Sequence, residues 1–509
     1  MPITATSHFT RFIVTIKLAP ERTERLTEII EAVEARCVPT RKEPQPVWTP
    51  LAHGAVRNQV EFLLPWVSRY IRGEVPDDAP HRDRDCTALA WHPNQLGQLG
   101  VICATSPQAK RHQYAFTIAA TEVYFFSTGI VAVAVECALR GNGDMPLSLD
   151  HVANFNYDMQ HFDSDRAMAL TAKPGKSDTP GKFLPGLTSE EGTTLFELLK
   201  DTLAPVFEGP HEVLDRRGFR LLTFVSLAEG TSPDGADAAE LGEKFFWLRR
   251  VTKESYLAAP VDLPLEGRPD TIRTFANTFV GFSLEGMAVL AIRTGHPFDD
   301  ERPNRVRHSH FAHYLLALHQ RAALLSLALD AGNLPRITPA LVDHGSDLVK
   351  RITDLRLRAV DFNLHHRFSQ VSTMTHYAGL YGRLVDALAI PALVDEVRDE
   401  IAELEEVLRL HRESRERARA ARVEESRRQV AEAEDSRDKL LARLIALLGP
   451  LSILISLYGT NLPHYAQPTY NSGFFLVPLA ICLIMTAALW WSFRKSTHGS
   501  DVETDENAR

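Results

Sequence analysis

The chain has 509 residues, enough for two or three domains, and its formal net charge of −9 argues against the basic surface that nucleic-acid-binding proteins carry. Charged residues make up 24% of the chain and the mean hydropathy is −0.15, so most of it is expected to fold in water. The five cysteines are dispersed without a CxxC pair, which indicates reduced thiols and not a disulfide framework.

The first part of the chain predicts an α/β domain. Its opening residues contain no basic-then-apolar signal segment, so any membrane span is expected further along. Phe12, Val14 and Ile16 alternate as in a strand, and Pro20 to Val33 has a helical pattern. Apolar runs broken at 127–129 and 285–286 predict two hairpins. We therefore predict a cytosolic α/β domain over residues 1–305, with any division into two subdomains falling in the loop-like stretch near 171–188.

The pattern becomes helical after this domain. Residues 306–390 contain three stretches with broad apolar faces and predict a cytosolic helical region. Pro391 then suits the first turn of another helix, and neither Gly nor Pro recurs before Gly449. The next apolar face has the 4-3-4 spacing of a helix–helix seam, formed by Val397, Ile401, Leu404 and Leu408.

Residues 391–439 are predicted to form a stalk helix. Between residues 411 and 439 nine basic and eight acidic side chains are interleaved, many of them three or four residues apart. This pattern is typical of a solvated helix that is stabilised by its own ion pairs. A continuous helix from residue 391 to 461 would be roughly 105 Å long at about 1.5 Å per residue.

Two apolar runs near the C-terminus are predicted to cross a membrane. Residues 440–461 and 473–493 each approach the ~20 residues that a bilayer core requires. The second run ends at Trp490 and Trp491, which are typical of the membrane interface. Arg443 lies near the start of the first run, where its side chain can reach the headgroups.

The flanking charges predict the orientation of these spans. The loop at 462–472 contains no Lys or Arg, whereas basic residues precede the first span and come directly after the second. The positive-inside rule therefore places both termini in the cytoplasm and the loop outside the plasma (inner) membrane. The tail at 494–509 ends in acidic residues and is typical of a disordered segment.

The first span is also partly polar. Ser452 and Ser456 lie on one side of it, and such a stripe costs free energy unless it faces protein or water. A helix-packing interface and a pore lining both meet that condition, and the residues themselves leave the choice open.

The end of this span, GPLSILISLYGTN, resembles the pore helix of the CorA family of divalent-cation channels, in which a proline precedes a Tyr-Gly-Met-Asn signature. The matching order of cytosolic domain, long helix and two C-terminal spans strengthens the resemblance. Thr460 stands where magnesium-selective relatives usually have Met. The residues that fall on the family pattern are Pro450, Ser452, Tyr458, Gly459 and Asn461.

The resemblance implies a homopentamer in a membrane, with the first span around a central pore. Asn461 would form a ring of amide oxygens at the outer mouth, facing a hydrated ion such as Mg²⁺, which dehydrates reluctantly. Gly459 would permit close backbone packing there, and Tyr458 would anchor the helix at the interface. Because Thr460 departs from the signature and the outer loop has no acidic residue, selectivity for magnesium stays open.

Regulatory ions are a second consequence of the resemblance, since the family binds divalent ions on its cytosolic part. Asp395, Asp399 and Glu403 share one helix face and are candidates, and a solvated helix face is the alternative, which the pattern favours. Mg²⁺ or another divalent ion is thus expected as cargo or regulator, with no tightly bound cofactor.

Two other segments contain residue types that can bind a ligand. His310 and His313 are three apart in one predicted helix and could share a metal ion, but no Cys or carboxylate joins them at a fitting spacing, so packing histidines are the alternative. PGKSD at 174–178 lacks the glycine of a phosphate loop, because Leu170 stands in its place. No arrangement of nucleophile and base or of paired carboxylates predicts an enzyme.

These observations leave three hypotheses for function. The first is a CorA-like channel for divalent cations, gated by its cytosolic domain. The second is a CorA-like effector channel that a small-molecule signal opens in a bacterial antiviral system, which would make that molecule a regulator of the cytosolic domain. The third is a non-conducting, membrane-anchored scaffold that oligomerises through its stalk.

Overall fold

The computed structural model describes most of the chain up to residue 459 and nine residues beyond it. The described residues are 3–38, 45–51, 62–72, 85–92, 99–106, 113–141, 147–162, 166–172, 187, 192–215, 218–235, 237–335, 346–459, 480, 481, 483–485, 487, 488, 490 and 491. Two compact units divide the chain, Met1–Leu408 and Arg409–Arg509.

A long mixed β-sheet forms the centre of the first unit. Its main path runs in the order β10-β6-β7-β8-β1-β12-β15-β14-β13. These strands are β1 (Thr4–Leu18), β6 (Ile102–Thr105), β7 (Gln113–Phe126), β8 (Ile130–Leu139), β10 (Ala169–Ala172), β12 (Arg220–Leu227), β13 (Thr271–Phe275), β14 (Thr278–Phe282) and β15 (Gly286–Ile292). Strands β4 (Trp48–Pro50), β5 (Cys86–Trp91), β9 (Leu147–Ser148) and β11 (His211–Val213) pair with this sheet outside its main path, and β2 (Cys37–Val38) and β3 (Gln45–Pro46) form a separate two-stranded sheet.

Strand β1 joins the two halves of the sheet. It pairs antiparallel with β8 on one side and antiparallel with β12 on the other. Phe12, Val14 and Ile16 are buried on one face of the sheet, and Phe9 and Ile13 are buried on the opposite face. Both faces of the strand are therefore covered, and its predicted alternation is confirmed.

Both predicted hairpins are present. Strands β7 and β8 pair antiparallel across the turn at 127–129, and β14 and β15 pair antiparallel across 283–285. The two hairpins pair differently with the rest of the sheet, because β8 is antiparallel to β1 whereas β15 is parallel to β12.

Helices cover the face of the sheet that carries Phe12. They are α2 (Leu26–Glu34), α4 (Leu149–Met159), α5 (Leu195–Thr202), α6 (Ala204–Phe207) and α7 (Ala238–Arg250). The short helix α1 (Pro20–Thr23) precedes α2 and contains no buried residue. The single helix predicted from Glu21 to Val33 is thus two short helices. Arg22 explains why α1 is separate from α2. Its guanidinium group donates hydrogen bonds to the carbonyl groups of Pro205 and Val206, which hold α1 against α6.

A second set of helices covers the face that carries Phe9. It comprises α3 (Pro65–Arg72), α8 (Phe298–Arg305), α9 (Phe311–Gly332), α10 (Ser346–Asp361), α11 (Thr375–Ala387) and the start of α12 (Ile390–Gly459). One π-helical turn, Val306–His310, joins α8 to α9, and another, Phe362–His366, comes after α10. The first unit is therefore a three-layer α/β/α structure, which confirms the predicted α/β class. Residues 306–390, predicted as a separate helical region, belong to the same unit.

Helix α12 is a single element of 70 residues, which contains the predicted run without Gly or Pro and continues through Gly449 and Pro450. Val394 and Val397 are buried in the core of the first unit, with Ile401 and Leu404 partly buried beside them. Leu408 packs with Leu348 and Ile352 of α10. The predicted seam is thus confirmed, and its partners lie in the same chain.

The part of α12 in the second unit is highly charged from residue 412 to 439, and it is exposed from residue 415 to 439. Ion pairs one turn apart join Glu413 to Arg417 at 3.2 Å, Glu424 to Arg428 at 2.8 Å and Asp435 to Lys439 at 2.7 Å. These contacts confirm that the interleaved charges form pairs along their own helix.

Within the described residues, no individual helix is both long enough and apolar enough to cross a membrane. Helices Thr375–Ala387 and Ile390–Ala446, which are bent by 55° relative to each other, reach that length and apolarity only when taken together. Of the predicted second span at 473–493, the residues described between 480 and 491 are helical.

Candidate functional site

The motif that resembles a pore signature stands at the C-terminal end of α12. Pro450, Tyr458 and Gly459 belong to this helix, which is described up to Gly459. Ser452 is exposed, and its hydroxyl group donates a hydrogen bond of 2.9 Å to the carbonyl oxygen of Gly449 in the preceding turn. The other two signature residues, Thr460 and Asn461, lie outside the described residues.

An exposed apolar face precedes the motif on the same helix. Its spacing of one, three and four residues places the side chains on one broad side of α12. Apolar surface of this kind normally contacts protein or lipid, since water solvates it poorly. The exposed residues are Leu440, Leu441, Leu444, Ile445 and Leu448.

The acidic residues proposed for regulatory ions lie near the start of α12. Asp395, Asp399 and Glu403 are all exposed, and Asp395 accepts a hydrogen bond of 2.8 Å from Arg398. Partial burial and the neighbouring carboxylates Glu396 and Glu403 raise the pKa of Glu400. Among the described residues no three His, Cys, Asp or Glu side chains converge closely enough to hold a metal ion.

His310 and His313 are brought together around an aromatic ring of α11. The ring centroid of Tyr377 lies 5.6 Å from that of His310 and 5.0 Å from that of His313. The Nδ1 atom of His313 lies 2.6 Å from the carbonyl oxygen of Ser309. Burial lowers the pKa of His310 to about 3 and that of His313 to about 4, so both rings are neutral at neutral pH.

A third histidine, His376, belongs to the same group and was missed from the sequence. Its ring centroid lies 4.1 Å from that of Tyr377, and partial burial together with Arg305 lowers its pKa. Residue 376 is far from residues 310 and 313 along the chain, and only the packing of α11 against α9 brings it near them. Local spacing carries no signal for that contact.

A buried network of charges crosses the face of the sheet near the same helices, and it too was missed. Arg11 pairs with Glu136 at 3.0 Å and with Glu122 at 3.1 Å, and Arg307 pairs with Glu136 at 2.7 Å. Burial lowers the pKa of Arg11, but the two carboxylates outweigh it and raise the pKa above its usual value. The network holds the π-turn against β1 and β8.

A chain of hydrogen-bonding side chains lies elsewhere on this face. Thr128 Oγ1 is 2.9 Å from His319 Nε2, and the hydroxyl group of Tyr70 is 3.4 Å from the same nitrogen. His366 Nδ1 is 2.9 Å from that hydroxyl group, and its Nε2 is 3.3 Å from Asp361 Oδ2. These hydrogen-bonded side chains connect the β7–β8 turn to α10. Their positions suit a structural role, in which they hold the helical layer against the sheet.

None of these side-chain clusters defines a catalytic or metal site among the described residues. The features that bear on function are the end of α12 and the α/β domain that precedes it. No known protein-family profile and no curated protein matches this chain. A functional assignment therefore rests on the motif at residues 450–461 and on the architecture that leads to it.

Proposed function

We propose that this protein is a CorA-like, homo-oligomeric membrane channel for divalent cations, with Mg²⁺ as the leading cargo. The observation that carries the proposal is the position of the GPLSILISLYGTN segment. It ends a 70-residue helix whose first turns belong to the core of an α/β domain, and an exposed apolar face directly precedes it. This order of elements is the one that the resemblance implies.

In the proposed channel, the first span of each subunit lines a central pore, because two spans of one subunit cannot enclose a pore. Asn461 supplies amide oxygens that accept hydrogen bonds from the water shell of a cation. An uncharged ring attracts the ion without holding it as tightly as carboxylates would, which permits conduction.

The proposed gate is the α/β domain. Val394 and Val397 of α12 are buried between the helices of the second layer, and Leu408 is buried against α10. A rearrangement of that layer would therefore move the first turns of α12 directly. Asp395, Asp399 and Glu403, exposed on these turns, are the proposed contacts for a regulatory cation.

Two measurements on the full chain test this proposal against a non-conducting scaffold. The purified protein in liposomes should admit Mg²⁺ or its substitute Co²⁺ faster than protein-free liposomes do. Native mass spectrometry in detergent should show a cyclic oligomer, with five subunits expected. A stable monomer or dimer together with absent flux would favour the scaffold.

An effector channel opened by a small molecule is the second candidate. The feature that favours it is the outer loop at 462–472, which has no acidic residue to concentrate cations. Expression in a host that lacks magnesium uptake separates the two candidates. Rescue of growth supports bulk transport, whereas channel activity without rescue supports the effector.

A further inference from the structure

A cavity of 640 Å³ opens between the β13–β14 hairpin, helix α8 and the start of α11. Its size lies within the ~300–1,000 Å³ that is common for small-molecule sites. Basic and aromatic side chains share its wall, among them Arg302, Arg305, His376, Phe275 and Phe298. Within the described part of the chain, no Asp or Glu lines it.

The basic part of the wall is made by helix α8. Arg302 is 8% exposed and forms an ion pair of 3.1 Å with Asp299, but its Nε atom is buried with no hydrogen-bond partner among the described residues. The guanidinium carbon of Arg305 lies 4.5 Å from the ring centroid of Phe298. Among the described residues, its ion-pair partner is the exposed carboxylate of Glu301, at 3.6 Å. Both arginines therefore keep donors for an anion.

Histidines extend the polar part of the wall beyond the two arginines. His310 and His376 line the cavity together with His296. Burial holds the pKa of His310 at about 3, and burial and Arg305 lower that of His376. At neutral pH these two rings add hydrogen-bonding groups without adding cations, so the two arginines dominate the charge of the cavity.

The aromatic part of the wall lies at the mouth. Phe275 is 51% exposed and Met374 is 39% exposed, so both side chains present apolar surface to water beside the cavity. The ring centroid of His376 lies 5.9 Å from that of Phe275. A planar ring entering between these groups would cover apolar surface that water now contacts.

The backbone beside the cavity is irregular as well. Pro303 lies inside α8 and removes one backbone donor, and the π-turn Val306–His310 comes directly after α8. Such π-turns inside helices are frequent at functional sites. Here the turn carries Val306 and His310, both of which line the cavity.

We propose that this cavity binds a small aromatic phosphate of about the size of a nucleoside monophosphate. Arg302 and Arg305 hold the phosphate group, with His310 and His376 as additional hydrogen-bonding partners. Phe275 and Met374 cover the ring. The site belongs to the α/β/α unit and does not depend on ion conduction.

The test is calorimetric titration of the full chain in detergent with the four ribonucleoside 5′-monophosphates, the corresponding nucleosides and inorganic phosphate. At least one monophosphate should bind. Its nucleoside and inorganic phosphate should each bind with an affinity that is lower by about tenfold or more, because each lacks half of the contacts. Failure of all four monophosphates to bind overturns the proposal.

Variants then assign the two halves of the site. Arg305→Gln should weaken the binding of both the monophosphate and inorganic phosphate by about tenfold, since a charged hydrogen bond is lost. Phe275→Ala should weaken the binding of the monophosphate and leave the binding of inorganic phosphate unchanged. Arg250→Gln is the matched control, because its side chain is 41% exposed like that of Arg305 and does not line the cavity. Wild-type affinity in Arg305→Gln, or equal losses in Arg305→Gln and Arg250→Gln, would refute the site.

Discussion

Arg11 shows how single residues constrain this fold. Its side chain is enclosed between β1, β8 and the π-turn, with its guanidinium carbon 4.1 Å from the ring centroid of Phe311. Glu136 accepts from both Arg11 and Arg307, and Tyr124 donates a hydrogen bond of 2.8 Å to Glu122. A buried charge of this kind is tolerated only while each partner remains in place.

Replacement of Glu136 tests this network. Glu136→Gln leaves Arg11 with one carboxylate and removes the ion pair of Arg307, so we expect the free energy of unfolding to fall by about 3 kcal/mol. A thermal melt of the full chain should show a clearly lower midpoint. Glu28→Gln, in the exposed pair with Arg25, is the control and should melt as the wild type does. Equal midpoints for the two variants would show that the network contributes nothing.

Acid sensitivity is expected from the buried histidines. Burial lowers the pKa of His313 from 6.5 to about 4, so between these values the unfolded chain binds a proton that the folded chain does not. Its contribution to stability is complete above pH 6.5 and is lost as the pH falls toward about 4. His310, whose pKa is lowered to about 3, acts in the same direction.

His313→Phe separates this contribution from the others. The new ring keeps the stacking on Tyr377 and cannot take up a proton, so the melting midpoint should fall less steeply with decreasing pH than in the wild type. His211→Phe, at an exposed position on β11, is the control and should leave the slope unchanged. Parallel slopes for His313→Phe and the wild type would exclude His313 as a contributor.

Helix α12 changes character along its length, and this is the main feature at the scale of elements. Its first turns are buried in the core, its middle is exposed and stabilised by its own ion pairs, and an apolar face is exposed between Leu440 and Leu448. Periodicity predicted the buried seam and the charged middle. The apolar part was predicted as a membrane span from the length of its apolar run, and this stays a prediction.

Other elements could be predicted only in outline. The break between α1 and α2 depends on Arg22 meeting carbonyl groups nearly two hundred residues away, which local pattern cannot show. Pro303 indicates the end of a helix, yet the helical run continues past it through the π-turn, supported by the tertiary contacts of Arg307. Hairpins were predictable because their turns and apolar runs are adjacent in sequence.

The orientation of the proposed spans gives a prediction at this scale. Lys and Arg residues precede the first span and follow the second, whereas the loop between the spans has none. The N-terminal side of the first span and the C-terminal side of the second should therefore face the cytoplasm. A cysteine introduced as Gln467→Cys should react with a membrane-impermeant thiol reagent in intact cells, whereas Ser496→Cys should react only after the cells are opened. The reverse labelling pattern would exclude this orientation.

For the whole molecule, the α/β class and the long helix could be predicted from the sequence, but the course of the sheet could not. Strand β1 pairs with β8, more than one hundred residues away, and with β12, more than two hundred residues away. The basic cavity was equally hidden, since its wall combines the β13–β14 hairpin with α8 and α11. The candidate pore motif is local in sequence and could be named from the sequence alone, and its role stays a prediction.

The central claim is that residues 450–461 conduct ions, and Asn461→Ala tests it most directly. Thr460→Met, which restores the family residue, is the control and should conduct as the wild type does. Asn461→Asp adds negative charge at the same position and should slow passage by binding the cation more tightly.

The measurement is Co²⁺ entry into liposomes that contain equal amounts of each assembled protein. Asn461→Ala removes the amide oxygens that would face the hydrated ion, so entry should fall close to the rate of protein-free liposomes while native mass spectrometry shows an unchanged oligomer. Wild-type rates in the assembled Asn461→Ala protein would contradict the account, because the signature would then have no part in conduction.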